Sequence, residues 1–185
     1  RGSLDNVLDR FYQCSILFKP EHIVRLTADC PLADPGVIDH VIQEHLEMDV
    51  DYTTNCSPPT WPDGLDVEIM KFTALASAWR EAELPSELEH VTPFIRNHPK
   101  RFLQHNVANK RDISNLRWTV DEPEDLKFVR EIYQRLYPTK CLFDYHDILN
   151  CLENNHSLSD INSKFNRNEG SLSSYKKDLV YLSRL

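Results

Sequence analysis

The chain has 185 residues, of which 41% are hydrophobic and 27% are charged, and its formal net charge is −8. This composition is typical of a soluble globular protein of one domain and excludes a disordered or membrane-embedded chain. The acidic excess also disfavours broad electrostatic binding to nucleic acid or to anionic lipid. It suits a protein that recruits a divalent cation before it meets an anionic substrate.

The cysteines bear on the cellular compartment. Five cysteines lie far apart and form no C-x-x-C pair, which argues against a zinc knuckle or a disulfide framework. The N-terminal residues lack the apolar core of a signal peptide, and no apolar run reaches the roughly 18 residues that span a bilayer. We therefore predict a cytoplasmic protein with free, mostly buried thiols.

Helix and strand patterns alternate along the first half of the chain. The predicted elements are a helix at residues 5–17 capped by Ser3, a strand at 22–27, a helix beginning at Asp34, a short strand at 51–55 and a strand within LDVEIM at 65–70. The helix at Asp34 has the strongest signal, because aspartate caps a first turn and Pro35 suits the position after it. The segment CSPPTWPDG, between the last two strands, is a loop by its prolines and glycine.

The second half continues this alternation and then changes in composition. The predicted elements are a helix at residues 73–82, a capping box at Ser86–Glu89 with a helix that Pro93 shortens, strands at 102–107 and 116–120, and a helix after Asp121 whose buried stripe is Leu126, Val129, Ile132, Tyr133 and Leu136. After Pro138 we predict two short helical pieces. The order of elements indicates an α/β sandwich with a largely parallel sheet, with a domain at residues 1–137 and a docked helical tail at 138–185.

Two predicted strand-to-helix junctions share one pattern. The segments TADCP and TVDEP each follow a strand with threonine, one small or apolar residue and an aspartate, which is Asp29 in the first and Asp121 in the second. Ligands of α/β sheets bind at the carboxyl ends of strands, and two carboxylates there could share a Mg²⁺. In the alternative interpretation, Asp29 only makes a turn and Asp121 only caps a helix. Spacing alone leaves both open.

A second acidic segment is WPDGLDVE. It places Asp63 and Gly64 in a turn and puts Asp66 and Glu68 on one face of a strand. The pattern fits an edge strand with a solvated acidic face. It also fits a substrate wall whose carboxylates accept hydrogen bonds from hydroxyl groups.

The pair Glu89 and His90 in ELEHVTPFI fits either a helix surface, which is the default, or an acid–base and anion-binding group. Other catalytic motifs are missing from the sequence. The eight histidines form no H-E-x-x-H zinc spacing, no G-x-S-x-G nucleophile elbow occurs, and four glycines are too few for a glycine-rich phosphate loop. If the protein handles a nucleoside triphosphate, its phosphate-binding loop must lie outside the sequence shown.

Six segments, taken in order, resemble one known family. They are RGSLDNVLDRFYQ, VRLTADCPLADPGVID, PPTWPDGLDVEIM, EHVTPFI, LRWTVDEPEDL and NRNEGSLSSYKKD. Their order and spacing are similar to those of the cytidylyltransferases related to spore coat polysaccharide biosynthesis protein F, which are relatives of the CMP-Kdo and CMP-sialic acid synthetases. The resemblance covers essentially the whole chain.

This resemblance implies a Rossmann-like nucleotidyltransferase fold of the glycosyltransferase-A type, a three-layer α/β sandwich. It implies transfer of a cytidylyl group from CTP to a sugar hydroxyl, with release of pyrophosphate, for the synthesis of a surface polysaccharide. Relatives hold Mg²⁺ with two aspartates, which by motif are Asp29 and Asp121. The remaining residues placed around the substrates are Arg25 and Thr27 on the nucleotide side and Asp63, Gly64, Asp66, Glu68, Glu89 and His90 on the sugar side. Relatives are often homodimers, and the apolar loop around SPPTW is a candidate contact.

The family also opens with a strand and a basic loop that binds the triphosphate, and nothing in this sequence matches them. We therefore expect an N-terminally truncated piece that lacks the first strands of the sheet. Two alternatives to the cytidylyltransferase stay open. One is a non-catalytic binding or assembly protein that keeps the fold but has lost the nucleotide loop. The other is a glycosyltransferase that uses a nucleotide sugar and a carboxylate-bound metal.

Overall fold

The computed structural model describes residues 2–167 and 169–184. Its elements, in chain order, are α1 Val7–Phe18, β1 His22–Arg25, α2 Pro35–Met48, β2 Tyr52–Thr54, β3 Glu68–Lys71, α3 Phe72–Glu81, α4 Pro85–His90, α5 Pro93–Asn97, β4 Gln104–Asn106, α6 Pro123–Leu136, α7 Tyr145–Glu153, a 3-10 turn at His156–Leu158 and α8 Glu169–Leu182. Most of the predicted elements are present, with shorter strands. None of the described helices is long and apolar enough to cross a membrane.

The four described strands form one sheet in the order β1–β3–β2–β4. β3 pairs antiparallel with both β1 and β2, whereas β2 and β4 pair in parallel. The prediction of a largely parallel sheet is therefore wrong for these strands. The reason is that no helix separates β2 from β3, so the chain returns through the loop at residues 55–67 in the opposite direction.

The predicted strand at residues 116–120 does not form a ladder. This segment runs beside the loop at Asp63, with hydrogen bonds from Asp63 N–H to the Leu116 carbonyl (2.9 Å) and from Trp118 N–H to the Asp63 carbonyl (2.6 Å). The pairing stays an isolated bridge. It does not extend because Gly64, with a φ of +105°, turns the chain out of the extended conformation.

Helices cover both faces of the sheet. Successive residues of a strand point to opposite faces, and Ile69 and Met70 of β3 belong to two different cores. Ile69 packs with α2 and α6, through residues such as Val41 and Ile132. Met70 packs with α1, α3 and α5, including Leu8 of α1. The expected three-layer α/β sandwich is confirmed.

The starts of two helices test the predicted caps. Asp34 caps α2 as predicted, since its Oδ1 accepts the N–H of Val37 at 3.0 Å. The helix α1 starts later than predicted and is capped by Asn6, not Ser3. Ser3 instead accepts a hydrogen bond from the backbone N–H of Asn6, one turn too early to cap the helix.

Two further predictions about helices are wrong. Ser86 lies inside α4, so SELE is not a capping box; the Glu87 side chain accepts backbone N–H groups just ahead of the helix instead. In α6, Leu126 and Tyr133 are partly exposed, and Phe128 is 1% exposed in their place. The buried face of α6 is shifted from Leu126 and Tyr133 toward Phe128, which belongs to the same core as Trp118.

The tail beyond residue 137 packs on the body at two places. Ile148 and Leu152 of α7 join the core that contains α6. On α8, Asp178 accepts the backbone N–H of Ser86 in α4 at 2.8 Å. These contacts agree with a docked tail, while the domain boundary at residue 137 stays a prediction.

All five cysteines are free, but only Cys151 is buried. The expectation of mostly buried thiols is therefore wrong. Cys14 lies on the solvent side of α1 and Cys141 lies in the turn before α7, and both are exposed.

Candidate functional site

An open cleft of about 440 Å³ lies at the end of the sheet where β1 and β2 finish and β3 begins. The predicted site residues that line this cleft are Arg25, Thr27, Asp29, Asp63, Asp66, Glu68, His90 and Asp121. Gly64 and Glu89 lie outside its lining. The structure therefore brings most of the predicted residues to one place.

The two aspartate junctions lie side by side. The backbone N–H of Val120 donates to the carbonyl of Asp29 at 2.8 Å, and the hydroxyl of Thr119 donates to the same carbonyl at 3.2 Å. These contacts hold TADCP beside TVDEP without a formal strand pair. Asp29 and Asp121 are both exposed on the cleft.

The local geometry disfavours the interpretation of these aspartates as a cap and a turn residue. Glu122, not Asp121, occupies the N-cap position of α6. The turn after Asp29 is closed by the backbone, with the Ala33 N–H donating to the Cys30 carbonyl at 3.1 Å. Neither carboxylate is therefore needed for the local fold.

The thiol of Cys30 lies between the first aspartate and Thr27. Its Sγ is 3.2 Å from Thr27 Oγ1 and 3.5 Å from Asp29 Oδ1. Burial raises the pKa of this thiol to about 12, and the Asp29 and Asp66 carboxylates contribute in the same direction. A thiol that stays protonated at neutral pH is not a nucleophile.

Arg117 connects the acidic groups of the cleft. Its guanidinium makes two hydrogen bonds to Asp125, of 2.9 and 2.8 Å, and one of 2.9 Å to Asp121 Oδ2. A longer bond of 3.3 Å reaches Asp63. Asp121 therefore enters the cleft with a fixed orientation and a neighbouring positive charge.

Asp66 and Asp63 form the acidic wall that follows the WPDG turn. Arg167, from the C-terminal segment, donates to Asp66 Oδ1, and its Nε lies 3.8 Å from Asp63 Oδ1. Burial raises the pKa of Asp66 to about 6 although Arg167 opposes this shift. Burial also raises the pKa of Asp63, against the effect of Arg167 and Arg117.

Glu68 is buried and fully engaged. Its Oε2 accepts a hydrogen bond of 2.5 Å from Arg25, and its Oε1 accepts from the hydroxyls of Tyr52 and Thr92. Burial alone would raise its pKa, but Arg25 and the two hydroxyls more than offset this effect, so the pKa of Glu68 is lowered. Glu68 therefore orients Arg25 and keeps its negative charge.

Glu89 and His90 contact the tail. His90 Nε2 lies 2.9 Å from Ser174 Oγ of α8, and the same hydroxyl donates to Glu89 at 2.9 Å. Lys177 also donates to Glu89, at 3.2 Å. Burial lowers the pKa of His90, so its ring stays neutral at pH 7. His90 reaches the cleft, whereas Glu89 anchors α8.

Gly64 has a structural role beside the cleft. Its φ is +105°, and a Cβ built at this position would lie 2.6 Å from the carbonyl carbon of Trp118 and 2.7 Å from the nitrogen of Thr119. Only glycine allows this close approach without strain. The approach places the WPDG turn against the segment that leads to Asp121.

Sequence reasoning gave no role to three charged residues that hold the carboxylates of the cleft in place. Arg117 and Asp125 flank Asp121 at a spacing of four residues on each side, a regular charge pattern that could have drawn attention. Arg167 lies in NRNEG, a segment that contributed to the family resemblance but received no role. Their roles depend on contacts with residues distant in sequence: Arg117 with Asp63, Asp125 with Asn162, and Arg167 with Asp66. A linear pattern does not reveal such contacts.

The donor chemistry of the cleft fits a hard cation. Mg²⁺ is usually held by one or two carboxylates and takes its other ligands from water and substrate phosphates. Asp29 and Asp121 supply two exposed carboxylates on adjoining segments. In the part of the chain that the structure describes, no group of three or more His, Cys, Asp or Glu side chains is arranged to hold a metal. Substrate oxygens would therefore have to complete the shell.

Comparisons with known proteins identify the family and the fold. The family model described as "Cytidylyltransferase" matches residues 1–149. A solved structure of a cytidylyltransferase from Leptospira borgpetersenii serovar Hardjo-bovis superposes with a TM-score of 0.81 at 28% identity, covering 86% of this chain and 67% of that one. The fold is therefore the Rossmann-like α/β sandwich of that cytidylyltransferase. The chain belongs to the cytidylyltransferase family.

Two relatives extend the comparison. The chain is 36% identical over 138 residues to the spore coat polysaccharide biosynthesis protein SpsF of Bacillus subtilis, covering 73% of this chain and 56% of that protein. It is 33% identical over 167 residues to the uncharacterized protein MJ1063 of Methanocaldococcus jannaschii, covering 88% of this chain and 66% of that protein. The chain thus spans less than two thirds of the length of these relatives.

Proposed function

We propose that the protein containing this chain transfers a cytidylyl group from CTP to a sugar hydroxyl, releases pyrophosphate, and uses Mg²⁺ held by Asp29 and Asp121. The observation that carries the proposal is the hydrogen-bonded pair of junctions, which puts both carboxylates on one cleft in a member of the cytidylyltransferase family. The name of the relative SpsF supports a sugar destined for a surface polysaccharide. The proposed compartment is the cytoplasm.

The residues on the metal side of the cleft supply charge and orientation. When bound, Mg²⁺ neutralises phosphate charge and aligns the triphosphate, which is most of what such a transfer needs. Arg117 fixes the Asp121 carboxylate and adds a positive charge beside the phosphates. Arg25 and Thr27 line the nucleotide side, with Arg25 held in place by Glu68.

The residues on the opposite wall bind the sugar in this proposal. Asp63 and Asp66 accept hydrogen bonds from its hydroxyl groups, since both carboxylates line the cleft. Glu68 does not contact the sugar directly, because both of its oxygens are already hydrogen-bonded. His90, neutral and held by Ser174, borders the same wall and keeps α4 in position.

The test is a pyrophosphate-release assay on the natural protein that contains this chain, with CTP, Mg²⁺ and a panel of Kdo, sialic acid and neutral sugars. Asp29→Asn and Asp121→Asn each remove a charged ligand and are expected to lower kcat by about 100-fold or more. Asp39→Asn, an exposed aspartate of α2 outside the cleft, is the matched control. Activity that survives the loss of both site aspartates would remove the metal assignment.

A parallel assay that supplies a nucleotide sugar in place of CTP distinguishes the two alternatives. A glycosyltransferase would release a nucleoside diphosphate from a nucleotide sugar and no pyrophosphate from CTP. A non-catalytic binding or assembly protein would do neither. Either pattern would reject the proposed reaction while leaving the family assignment unaffected.

A further inference from the structure

The C-terminal segment contacts the acidic wall of the cleft, Asp63 and Asp66, through Arg167. Its Nη1 donates to the carbonyl of Trp61 at 2.9 Å, its Nη2 donates to Asp66 Oδ1, and its Nε lies 3.8 Å from Asp63 Oδ1. The side chain is only 13% exposed. One guanidinium therefore joins both carboxylates of the acidic wall to the loop that carries them.

Among the described residues, Asp66 depends on Arg167 alone for a side-chain hydrogen bond. Asp63 is shared with Arg117, but among residues 2–167 and 169–184 the only side chain hydrogen-bonded to Asp66 is that of Arg167. The Nε of Arg167 is buried and has no hydrogen-bond partner among the described residues. A buried donor without a hydrogen-bond partner is costly, and within the described ranges this cost is offset only by the charge of Asp63, 3.8 Å away.

The segments before and after Arg167 in the sequence are both anchored to the rest of the protein. Before it, the buried Asn162 donates to the carbonyl of Arg117 at 2.9 Å and to Asp125 Oδ1 at 2.8 Å. After it, α8 is fixed to α4 by the hydrogen bond between Asp178 and the Ser86 backbone. Two anchors that flank one inserted side chain restrict its position much more than a loosely docked tail would.

We propose that Arg167 is a positioning residue for the sugar substrate, which fixes Asp63 and Asp66 in the orientation that receives the sugar hydroxyls. The C-terminal segment is then part of the substrate site. This inference rests on the proposed function, and it assigns the tail a role in sugar binding and none in CTP binding.

The first test compares Arg167→Met, Arg167→Lys and the control Lys164→Met in the natural protein. Lys164 belongs to the same segment but pairs with Glu124 on the surface. Arg167→Met is expected to raise the KM for the sugar by about tenfold, as loss of a charged hydrogen-bond partner predicts, with the KM for CTP unchanged. Arg167→Lys restores part of the loss, and the control behaves as wild type. Equal losses for both substrates would indicate a purely structural role and overturn the inference.

A second readout needs no sugar. The Asp66 carboxyl is titrated by carbon-detected NMR in wild type and in Arg167→Met. The titratable groups that face Asp66 besides Arg167 are Asp63, Glu68, Cys30 and Cys56. Loss of Arg167 is expected to raise the Asp66 pKa by about one unit or more, and an unchanged titration would overturn the inference. Failure of the proposed function gives a different result. Wild type would then use no sugar in the panel, while the titration would still report the ion pair between Arg167 and Asp66.

Discussion

Asp125 shows how the cleft depends on a residue outside its lining. It is fully buried and accepts two hydrogen bonds from Arg117, one from Asn162, and one each from the backbone N–H groups of Asp121 and Glu122. Burial alone would raise its pKa, but these donors more than offset that effect and lower it. The position of Asp121 on the cleft therefore depends on this carboxylate.

Asp125→Asn is expected to destabilise the fold by about 3–5 kcal/mol, because it leaves Arg117 without its main partner in a buried site. Urea unfolding followed by circular dichroism measures the change. Glu124→Gln serves as the control, since this neighbour forms only a surface ion pair with Lys164 and should change stability much less. Similar values for both variants would contradict the role given to Asp125.

Among individual residues, the sequence predicted the two that stand in a repeated motif. Asp29 and Asp121 stand in matched junctions, and both lie on the cleft. Arg117, Asp125 and Arg167 could not be assigned, because what they do depends on which charges the fold brings within about 3 Å, the length of a hydrogen bond.

Among the elements, α2 is tied to the sheet by a pair of histidines. His45 of α2 is buried; its Nε2 lies 2.9 Å from Nδ1 of His22 in β1, and its Nδ1 lies 2.8 Å from the hydroxyl of Thr53 in β2. Burial, followed by His22 and Lys71, lowers the pKa of His45 to about 4. The neutral ring is therefore the form that joins the helix to two strands.

This arrangement predicts a loss of stability in weak acid. The unfolded chain binds a proton at His45 below its ordinary pKa of about 6.5, whereas the folded chain does so only near 4. His45 alone therefore lowers stability by about 1–2 kcal/mol between pH 7 and pH 5, a loss that the raised pKa of Asp66 partly offsets. Urea unfolding at the two pH values checks this. Between pH 7 and pH 5 the stability should change less unfavourably in His45→Gln than in wild type, whereas His40→Gln, at an exposed histidine of the same helix, should follow wild type. The same pH dependence in all three proteins would refute the role of His45.

The elements also show where sequence patterns stop being informative. The start of α2 was predictable because a capping aspartate and a proline act locally. The directions of the strands were not, because β3 pairs with strands on both sides through contacts distant in sequence. The segment at residues 116–120 has the composition of a strand, but the loop at Asp63 that pairs with it turns away at Gly64. A local sequence pattern in residues 116–120 cannot predict that turn.

At the scale of the whole molecule, the acidic charge is organised by arginines. The chain carries a formal charge of −8, and most carboxylates of the cleft pair with one of three guanidinium groups: Arg25 with Glu68, Arg117 with Asp63 and Asp121, and Arg167 with Asp66. Among the described residues, Asp29 has no such ion pair. We therefore expect the metal side of the cleft to attract a cation while the sugar wall keeps its internal counter-charges.

The sequence alone predicted the layered fold and most of the cleft lining, with the family resemblance supplying the roles. It did not predict the contribution of the tail, since Arg167 lies about a hundred residues from its partner Asp66. Composition does not report which parts of a chain meet at one site.

Calorimetric titration of the natural protein with CTP, with and without Mg²⁺, tests the central claim most directly. Binding should require Mg²⁺ and weaken by about tenfold or more in Asp29→Asn and in Asp121→Asn, with Asp39→Asn unchanged. Equal CTP affinity in wild type and in both site variants would contradict the account, because the two aspartates would then hold no metal that the nucleotide needs.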